Sequence, residues 1–196
     1  MAYDGSGSMK DYYTKKLAEY CYNLWETTVK ELGTENETTA KYYMQAVQHY
    51  LDAGCYEEVV KYGPRGLETC IKMYGLNSDW SVAYAFFITE ALYHLRRFDE
   101  ALKQAQYAYS ICLNLYGEKH WKTVTILQEI AQIYDLLDNP QEALKTREYN
   151  YPLMIAVYGE KHKDTKSALK FINSLKHRLG IETQKTGIFG LFKKNK

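Results

Sequence analysis

This chain lacks a strong net charge. Its 196 residues contain 25 Lys and Arg against 24 Asp and Glu, a formal net charge of +1. Such a balance gives no electrostatic pull toward nucleic acid or toward an anionic membrane surface. We therefore expect no nucleic-acid partner.

Targeting signals and long apolar runs are also missing. No basic segment followed by an apolar run stands at the N-terminus, and no run approaches the roughly 20 apolar residues of a membrane span. The four cysteines, Cys21, Cys55, Cys70 and Cys112, form no C-x-x-C pair. Three of them have apolar neighbours at helical spacing, which predicts buried free thiols. Free thiols indicate a reducing compartment, so we predict a cytoplasmic protein.

No nucleophile elbow, phosphate loop or zinc motif occurs, so we predict neither an enzyme nor a bound cofactor or metal. The spacing of Asp4, Ser6 and Ser8 matches a D-x-S-x-S magnesium loop, whose oxygen ligands suit a hard cation. That loop needs a buried strand before it, and only three residues precede it here. We interpret residues 1–9 as a flexible leader or a cloning remnant.

What the sequence does contain is a repeat. LYGEKHWKT at 115–123 returns almost unchanged as VYGEKHKDT at 157–165, 42 residues later. The same interval spaces four glycines: Gly33, Gly75, Gly117 and Gly159. Within each 42-residue row, apolar residues recur at intervals of three and four, the helical period.

Each row predicts two helices separated by a short turn. The first helices are predicted at about 36–52, 79–95 and 121–137, and the second helices at about 56–73, 98–115 and 140–157. A flanking helix at 10–32 and a terminal helix at 163–179 bring the number to eight. The repeats then span about 34–75, 76–117 and 118–159 in an array over 10–180, followed by a tail at 181–196. In the junctions, His120 and His162 lie one repeat apart, too far for one metal ion, and helix capping or packing is the favoured role.

The columns of this repeat resemble the tetratricopeptide family. ALYHLRRFDEALKQAQYAYSI at 91–111 and EIAQIYDLLDNPQEALKTR at 129–147 follow its pattern of small and aromatic positions. The 42-residue period and the YGEKH junction are similar to the longer repeats of kinesin light chain and its bacterial relatives. The resemblance implies an all-α solenoid of antiparallel helix pairs in a right-handed superhelix. Gly63, Pro64 and Gly66 depart from the pattern and predict a loosened or kinked second helix.

The resemblance also implies a concave groove lined by the first helices, where a protein or peptide ligand binds. Carried over by column, the groove residues are Lys41, Met44, Gln48 and Asp52, then Phe86, Glu90, Tyr93 and His94, then Gln128, Gln132 and Asp135, with Lys170 from the terminal helix. The favoured function is a non-enzymatic adaptor or scaffold. The alternative is a peptide-sensing component of a signalling system that acts through a separate effector chain.

The tail carries four apolar residues before three lysines: Ile188, Phe189, Leu191 and Phe192. They could cover the open face of the terminal helix or contact a membrane surface. The apolar stretch is too short for firm anchoring in a membrane. We therefore favour the first alternative, in which the tail covers the open face of the terminal helix.

Overall fold

The computed structural model describes residues 9–181, which form eight α-helices and no strand. The helices are α1 (Met9–Leu32), α2 (Glu37–Asp52), α3 (Tyr56–Tyr74), α4 (Asp79–His94), α5 (Phe98–Tyr116), α6 (Trp121–Leu136), α7 (Pro140–Tyr158) and α8 (Lys163–Arg178). Each helix begins and ends within one residue of its predicted position, and the predicted all-α class is confirmed. Asp4, Ser6, Ser8 and the apolar part of the tail lie outside the described residues.

The repeat sets where the first helices begin. The four N-caps stand 42 residues apart in one column, and each side chain accepts a hydrogen bond from a backbone N–H in the first turn: Asn36, Ser78, His120 and His162. In the two histidines this acceptor is Nδ1, 3.3 Å from the amide nitrogen. The capping role predicted for the histidines is therefore confirmed.

The repeat also sets where the second helices end. Gly75, Gly117 and Gly159 close α3, α5 and α7 at φ between 79° and 88°, a backbone conformation that glycine adopts without steric cost. The tyrosine before each glycine packs at the junction. Tyr116, for example, stacks on the His120 imidazole with ring centroids 4.2 Å apart. Local sequence therefore fixes both ends of each helix pair.

The helices pack chiefly against their neighbours in the chain, with an additional contact between α2 and α4. One continuous hydrophobic cluster runs from Ala18 in α1 to Ile133 in α6. Beyond it the last junction holds two smaller clusters, one around Met154 and one around Ile172. The core is thus continuous over five helices and most of α6, and divided at α6, α7 and α8.

A loosened or kinked α3 stays a prediction, but the glycines and the proline do not break the helix, which runs through Pro64 from Tyr56 to Tyr74. Gly63 and Gly66 are buried against α4 instead. A Cβ at Gly63 would lie 2.7 Å from Ile88 Cγ1, and a Cβ at Gly66 would lie 2.3 Å from the Tyr84 ring. These glycines therefore allow α4 to approach α3 closely.

The column of Gly66 and the column of Tyr84 show a size compensation along the array. The residue on the second helix grows from repeat to repeat, and the residue in the facing column of the next first helix shrinks. The pairs are Gly66 with Tyr84, Ala108 with Ile126, and Asn150 with Ala168, all of them buried. Close packing of interiors requires such compensation, because extra volume on one helix must be removed from the other.

None of the helices in the described part of the chain has the length and hydropathy needed to cross a bilayer.

Candidate functional site

A first cavity lies between α4 and α6, and we call it the α4–α6 cavity. Its volume is about 280 Å³, and it is lined by Thr89, Glu90, Tyr93, His94, Glu129, Gln132 and Ile133. Gln132 Nε2 donates a hydrogen bond to Tyr93 Oη at 2.5 Å, which ties the two first helices together across it. His94 stacks on Tyr56 of α3 with ring centroids 4.4 Å apart. The cavity is therefore lined by aromatic rings and by polar groups from both first helices.

Glu129 gives this cavity its acidic character. Burial and the negative charge of Glu90 raise the pKa of Glu129 to about 7. The carboxyl group of Glu129 is therefore poised to be charged or neutral near physiological pH. In the equivalent column α4 carries Phe87 and α8 carries Phe171, so the carboxyl group is specific to α6.

A second cavity lies between α6, α7 and α8, and we call it the α6–α8 cavity. Its volume is about 300 Å³. The polar residues that line it are Gln128, Gln132, Asp135, Arg147, Asn150, Asp164 and Ser167, and the apolar ones are Leu127, Ala131, Met154, Ala168 and Phe171. Gln132 borders both cavities, so they adjoin along one face of the array.

A half-buried ion pair borders the α6–α8 cavity. Arg147 Nη2 donates to Asp135 Oδ2, and the Arg147 side chain is only 11% exposed. Arg178 Nη2 approaches the other oxygen of Asp135 at 3.9 Å, too far for a hydrogen bond. Asn150, 2% exposed, donates from Nδ2 to the Val124 carbonyl oxygen at 2.9 Å. The ring of Phe171 lies 4.8 Å from the Arg147 guanidinium.

Six of the predicted groove residues border these cavities. Glu90, Tyr93, His94 and Gln132 line the α4–α6 cavity, while Gln128, Asp135 and again Gln132 line the α6–α8 cavity. The structure therefore gathers three of the four predicted residues of α4 and all three of α6 along one groove. Its floor is supplied by α7, and its far wall by α8.

The other predicted groove residues lie elsewhere. Met44 is buried, 9% exposed within the core, because its column packs inward in α2, and it presents almost no surface to a partner. Phe86 is half-buried against the core. The remaining four are exposed and border neither cavity: Lys41, Gln48, Asp52 and Lys170. Lys41 forms an ion pair with Glu37 at 2.7 Å.

Sequence reasoning missed Glu129, Arg147 and Asn150, and the columns contain a signal for each. Arg147 and Asn150 occupy the columns of Gly63 and Gly66, small residues that pack against the following helix. A large polar residue in a column of small buried residues indicates that the junction opens there. Arg147 and Asn150 belong to a second helix, α7, whereas all the predicted groove residues belong to first helices.

The four cysteines are free, and three of them are buried. Burial raises the pKa of the Cys70 thiol to about 12 and that of Cys112 to about 11. Thiols of this kind stay protonated at neutral pH and are weak nucleophiles. The prediction of buried free thiols is confirmed for Cys21, Cys70 and Cys112, while Cys55 is partly exposed. Within residues 9–181, no three His, Cys, Asp or Glu side chains cluster so as to hold a metal ion.

Comparison with known proteins agrees with this architecture. The family model of the tetratricopeptide repeat matches residues 81–146, from α4 into α7. No curated protein matches the chain. Residues 81–146 therefore match the tetratricopeptide repeat, and the resemblance seen in the columns is confirmed.

Solved structures share the fold. A protein from Podosopora anserina, described as a putative kinesin light chain with nearly identical TPR-like repeats, superposes with a TM-score of 0.71 at 14% identity, over 85% of this chain and 79% of that one. A variant of the same protein gives the same values. BtubC (BKLC) from P. vanneervenii superposes with a TM-score of 0.63 at 14% identity, over 86% of this chain and 75% of that one. The array thus has the solenoid fold of tetratricopeptide proteins.

Proposed function

We propose that this protein is a non-enzymatic interaction module that binds an extended segment of a partner protein along the groove formed by α4, α6 and α8. The observation that carries the proposal is the continuity of the two cavities. They adjoin at Gln132, they have volumes of about 280 and 300 Å³, and both face the same side of the array. Recognition sites in proteins are usually concave, with aromatic surface and a small number of placed polar groups.

The composition of the groove supports recognition of a peptide rather than catalysis. Tyr93 and Phe171 offer aromatic surface, while Gln128 and Gln132 offer amide donors and acceptors that match a peptide backbone. Charges of both signs flank them. The buried cysteines keep their protons, so none of the three is a ready nucleophile. Their free state also supports placement in a reducing cytoplasm.

The test is a peptide selection followed by mapping. A display library of random linear peptides is enriched on the purified chain, and the bound surface is located by hydrogen exchange. We expect selected peptides to slow exchange in α4, α6 and α8 more than in α3 and α5. Enrichment of peptides that protect only the outward faces of the second helices would refute the groove proposal.

Matched variants sharpen the assignment. Tyr93→Ala with Gln132→Ala removes the hydrogen bond across the groove, and we expect it to weaken peptide binding by at least tenfold, since central aromatic contacts dominate most interfaces. Lys103→Ala on the outer face of α5 is the control, because that side chain is exposed away from both cavities. Equal affinity of the two variants would contradict the proposal.

A regulatory role is the second candidate function, and the division of the hydrophobic core supports it. Because the hydrophobic cluster of α1 to α6 ends at Ile133, the last helix pair is joined to the array by smaller clusters than the earlier pairs. A ligand in the α6–α8 cavity would contact both sides of this division and could change the curvature of the array. Small-angle scattering would favour the sensor if a selected peptide alters the radius of gyration, and the adaptor if it does not.

A further inference from the structure

The α4–α6 cavity is lined by hydrogen-bond acceptors that carry negative charge. Glu90 of α4 and Glu129 of α6 both border it. They lie close enough for the charge of Glu90 to add to the effect of burial on the pKa of Glu129. Gln132 donates from Nε2 to Tyr93 Oη, so its carbonyl oxygen remains as a further acceptor. A ligand that complements this lining must bring donors and positive charge.

Neither of these two carboxylates forms an ion pair within residues 9–181. Asp135 on the same helix, by contrast, is paired with Arg147. Glu90 and Glu129 repel each other, and burial withdraws Glu129 from the water that would stabilise its charge. Because an unpaired and partly buried charge costs free energy, a cation that enters the cavity offsets both the repulsion and the cost of burial.

The negative charge is specific to this junction of the repeat. The columns of Glu90 and Glu129 hold an amide and a phenylalanine at the other two junctions: Gln48 with Phe87, and Gln132 with Phe171. Packing of the repeat therefore does not require a carboxylate in either column. This points to a role for the two charges in what the cavity binds.

The size of the cavity suits a side chain. Its volume of about 280 Å³ is far above the roughly 10–15 Å³ that one water needs, and just below the roughly 300 Å³ at which pockets for small molecules begin. A bare divalent ion fits poorly, because Ca²⁺ takes about six to eight oxygen ligands at short distances. Tyr93 also lines the cavity, and aromatic rings pack against methylene groups and attract cations.

We propose that the α4–α6 cavity binds the cationic side chain of a lysine or arginine in the partner segment. The charged end lies between the carboxylates of Glu90 and Glu129, and the methylene groups lie along Tyr93. Ammonium and guanidinium groups bring only donors, which an acceptor lining can satisfy without leaving a group unpaired. The proposal rests on the groove as a peptide site and adds what one of its cavities selects.

Other side chains complement the cavity less well. A carboxylate adds a further negative charge and brings no donor. A carboxamide or a hydroxyl group offers donors but leaves Glu90 and Glu129 without a positive charge beside them. An apolar side chain displaces water from the two carboxylates and replaces none of the hydrogen bonds that the water made.

The experiment follows the two carboxyl groups themselves, so it does not depend on knowing the partner. The chain is labelled with ¹³C at glutamate and titrated, at constant ionic strength, with the N-acetyl, N-methylamide derivatives of lysine, arginine, side-chain-acetylated lysine and glutamate. Acetylation keeps the carbon chain of lysine and removes its charge. The carboxyl signals of Glu90 and Glu129 are assigned by their loss in Glu90→Gln and Glu129→Gln. We expect saturable shifts of both signals with at least one of the two cationic probes, several-fold larger than with the other two.

A second readout is the titration of Glu129, whose pKa is about 7 without ligand. A bound cation stabilises the charged form, so we expect the titration midpoint to fall by about one pH unit or more in the saturated complex, and to stay unchanged with the acetylated probe. The other titratable groups near this carboxyl group are Glu90, Tyr93 and His94 of α4 and the Cys112 thiol of α5, while α7 adds no charged side chain to the described lining. Following the Glu129 carbon itself separates its titration from theirs.

Matched variants remove one charge at a time. Glu90→Gln introduces the residue that Gln132 supplies in the same column of the next repeat, and Glu129→Gln replaces a carboxyl group with an amide of the same shape. We expect each to weaken binding of the cationic probe by roughly fivefold or more. Glu31→Gln removes the same charge from an exposed position on α1, which does not line the cavity, and should leave the affinity unchanged. If a variant unfolds, the ranking of the four probes on the native chain still decides the question.

Four results would overturn the proposal. They are an equal shift with the acetylated probe, tighter binding of the glutamate derivative, a larger effect of Ca²⁺ than of either cationic probe on the Glu129 midpoint, and no saturable shift with any probe, which would mean a cavity that holds water only. Failure of this proposal would leave the protection of α4, α6 and α8 by display-selected peptides unaffected. Failure of the groove proposal would remove that protection, so the two outcomes can be told apart.

Discussion

Replacing Gly66 with alanine tests whether close approach of α3 and α4 depends on the absence of a side chain. Alanine is the better helix former by about 1 kcal/mol, so local propensity alone predicts stabilisation. The structure predicts the opposite. The new Cβ would lie 2.3 Å from two ring carbons of Tyr84, which is 1% exposed and enclosed by the core.

The expected magnitude follows from these two opposing effects. Forcing a methyl group into a packed interior typically costs about 1–3 kcal/mol. The overlap here involves ring atoms of a buried tyrosine that must shift by about 1 Å, so we expect a cost near or above the upper end. After subtraction of the gain in helix propensity, Gly66→Ala should destabilise the chain by roughly 2 kcal/mol or more.

Two further variants isolate the cause. Gly63→Ala brings a Cβ to 2.7 Å from Ile88 Cγ1, so that side chain must shift, but the second repeat accommodates the same pair as Ala105 and Ile130. The cost of this shift should offset the gain in helix propensity, so we expect a net change within about 0.5 kcal/mol. Combining Gly66→Ala with Tyr84→Ile reproduces the pair found one repeat later. We expect this double variant to recover about 1–3 kcal/mol relative to the sum of the single changes.

Urea unfolding followed by circular dichroism measures the free energy of unfolding of the unchanged chain and of four variants. These are Gly63→Ala, Gly66→Ala, Tyr84→Ile and the double variant. With a slope of about 2 kcal/mol/M, Gly66→Ala should lower the midpoint by about 1 M. A raised midpoint for Gly66→Ala would show that helix propensity outweighs packing at this contact. Strict additivity of the two changes would show that Gly66 and Tyr84 do not share the contact described here.

Two other predictions concern ionisation and capping. Because the folded state raises the pKa of Glu129 from 4.5 to about 7, the native chain retains a proton that the unfolded chain releases. The free energy of unfolding should therefore fall as the pH rises from about 4.5 to 7, by up to ~1.4 kcal/mol per pH unit. Urea midpoints measured at several pH values test this, and Glu129→Gln should remove the slope. At the start of α6, His120→Ala should cost about 1 kcal/mol in thermal unfolding, whereas His120→Asn should retain most of the stability, because asparagine caps α2 in the same column. Equal losses in the two His120 variants would argue that the stacked imidazole, rather than the cap, supplies the stability.

The sequence by itself determined where the helices lie. The 42-residue interval returns a capping residue at each start, such as Asn36 and Ser78, and a glycine at each second-helix end, such as Gly117. Caps and C-terminal glycines act over a few residues, through backbone groups of the same turn. Their effect can therefore be read from the chain without knowing what the helices contact. The same holds for the inward columns, whose period of three and four requires no tertiary information.

Part of the groove could be read in the same way. Glu90, Tyr93, His94 and Gln132 stand in columns that the tetratricopeptide resemblance assigns to the groove, and all four border the cavities. Met44 shows the limit of column reasoning. Its position repeats, but its burial depends on how α1 and α3 close around α2, and a long apolar side chain at the edge of the groove packs inward.

Only the tertiary structure decided what the small and polar residues of the second helices do. Glycine in a helix costs stability locally, so Gly63 and Gly66 read as a weak point until Ile88 and Tyr84 are seen against them. The column of Gly66 continues as Asn150, where the amide holds a carbonyl of α6 and borders an open cavity. The close packing at Gly66 and the open cavity beside Asn150 both depend on the combined volume of side chains from two facing helices. Since the facing residues are about 20 positions apart in the chain, no local rule relates their sizes.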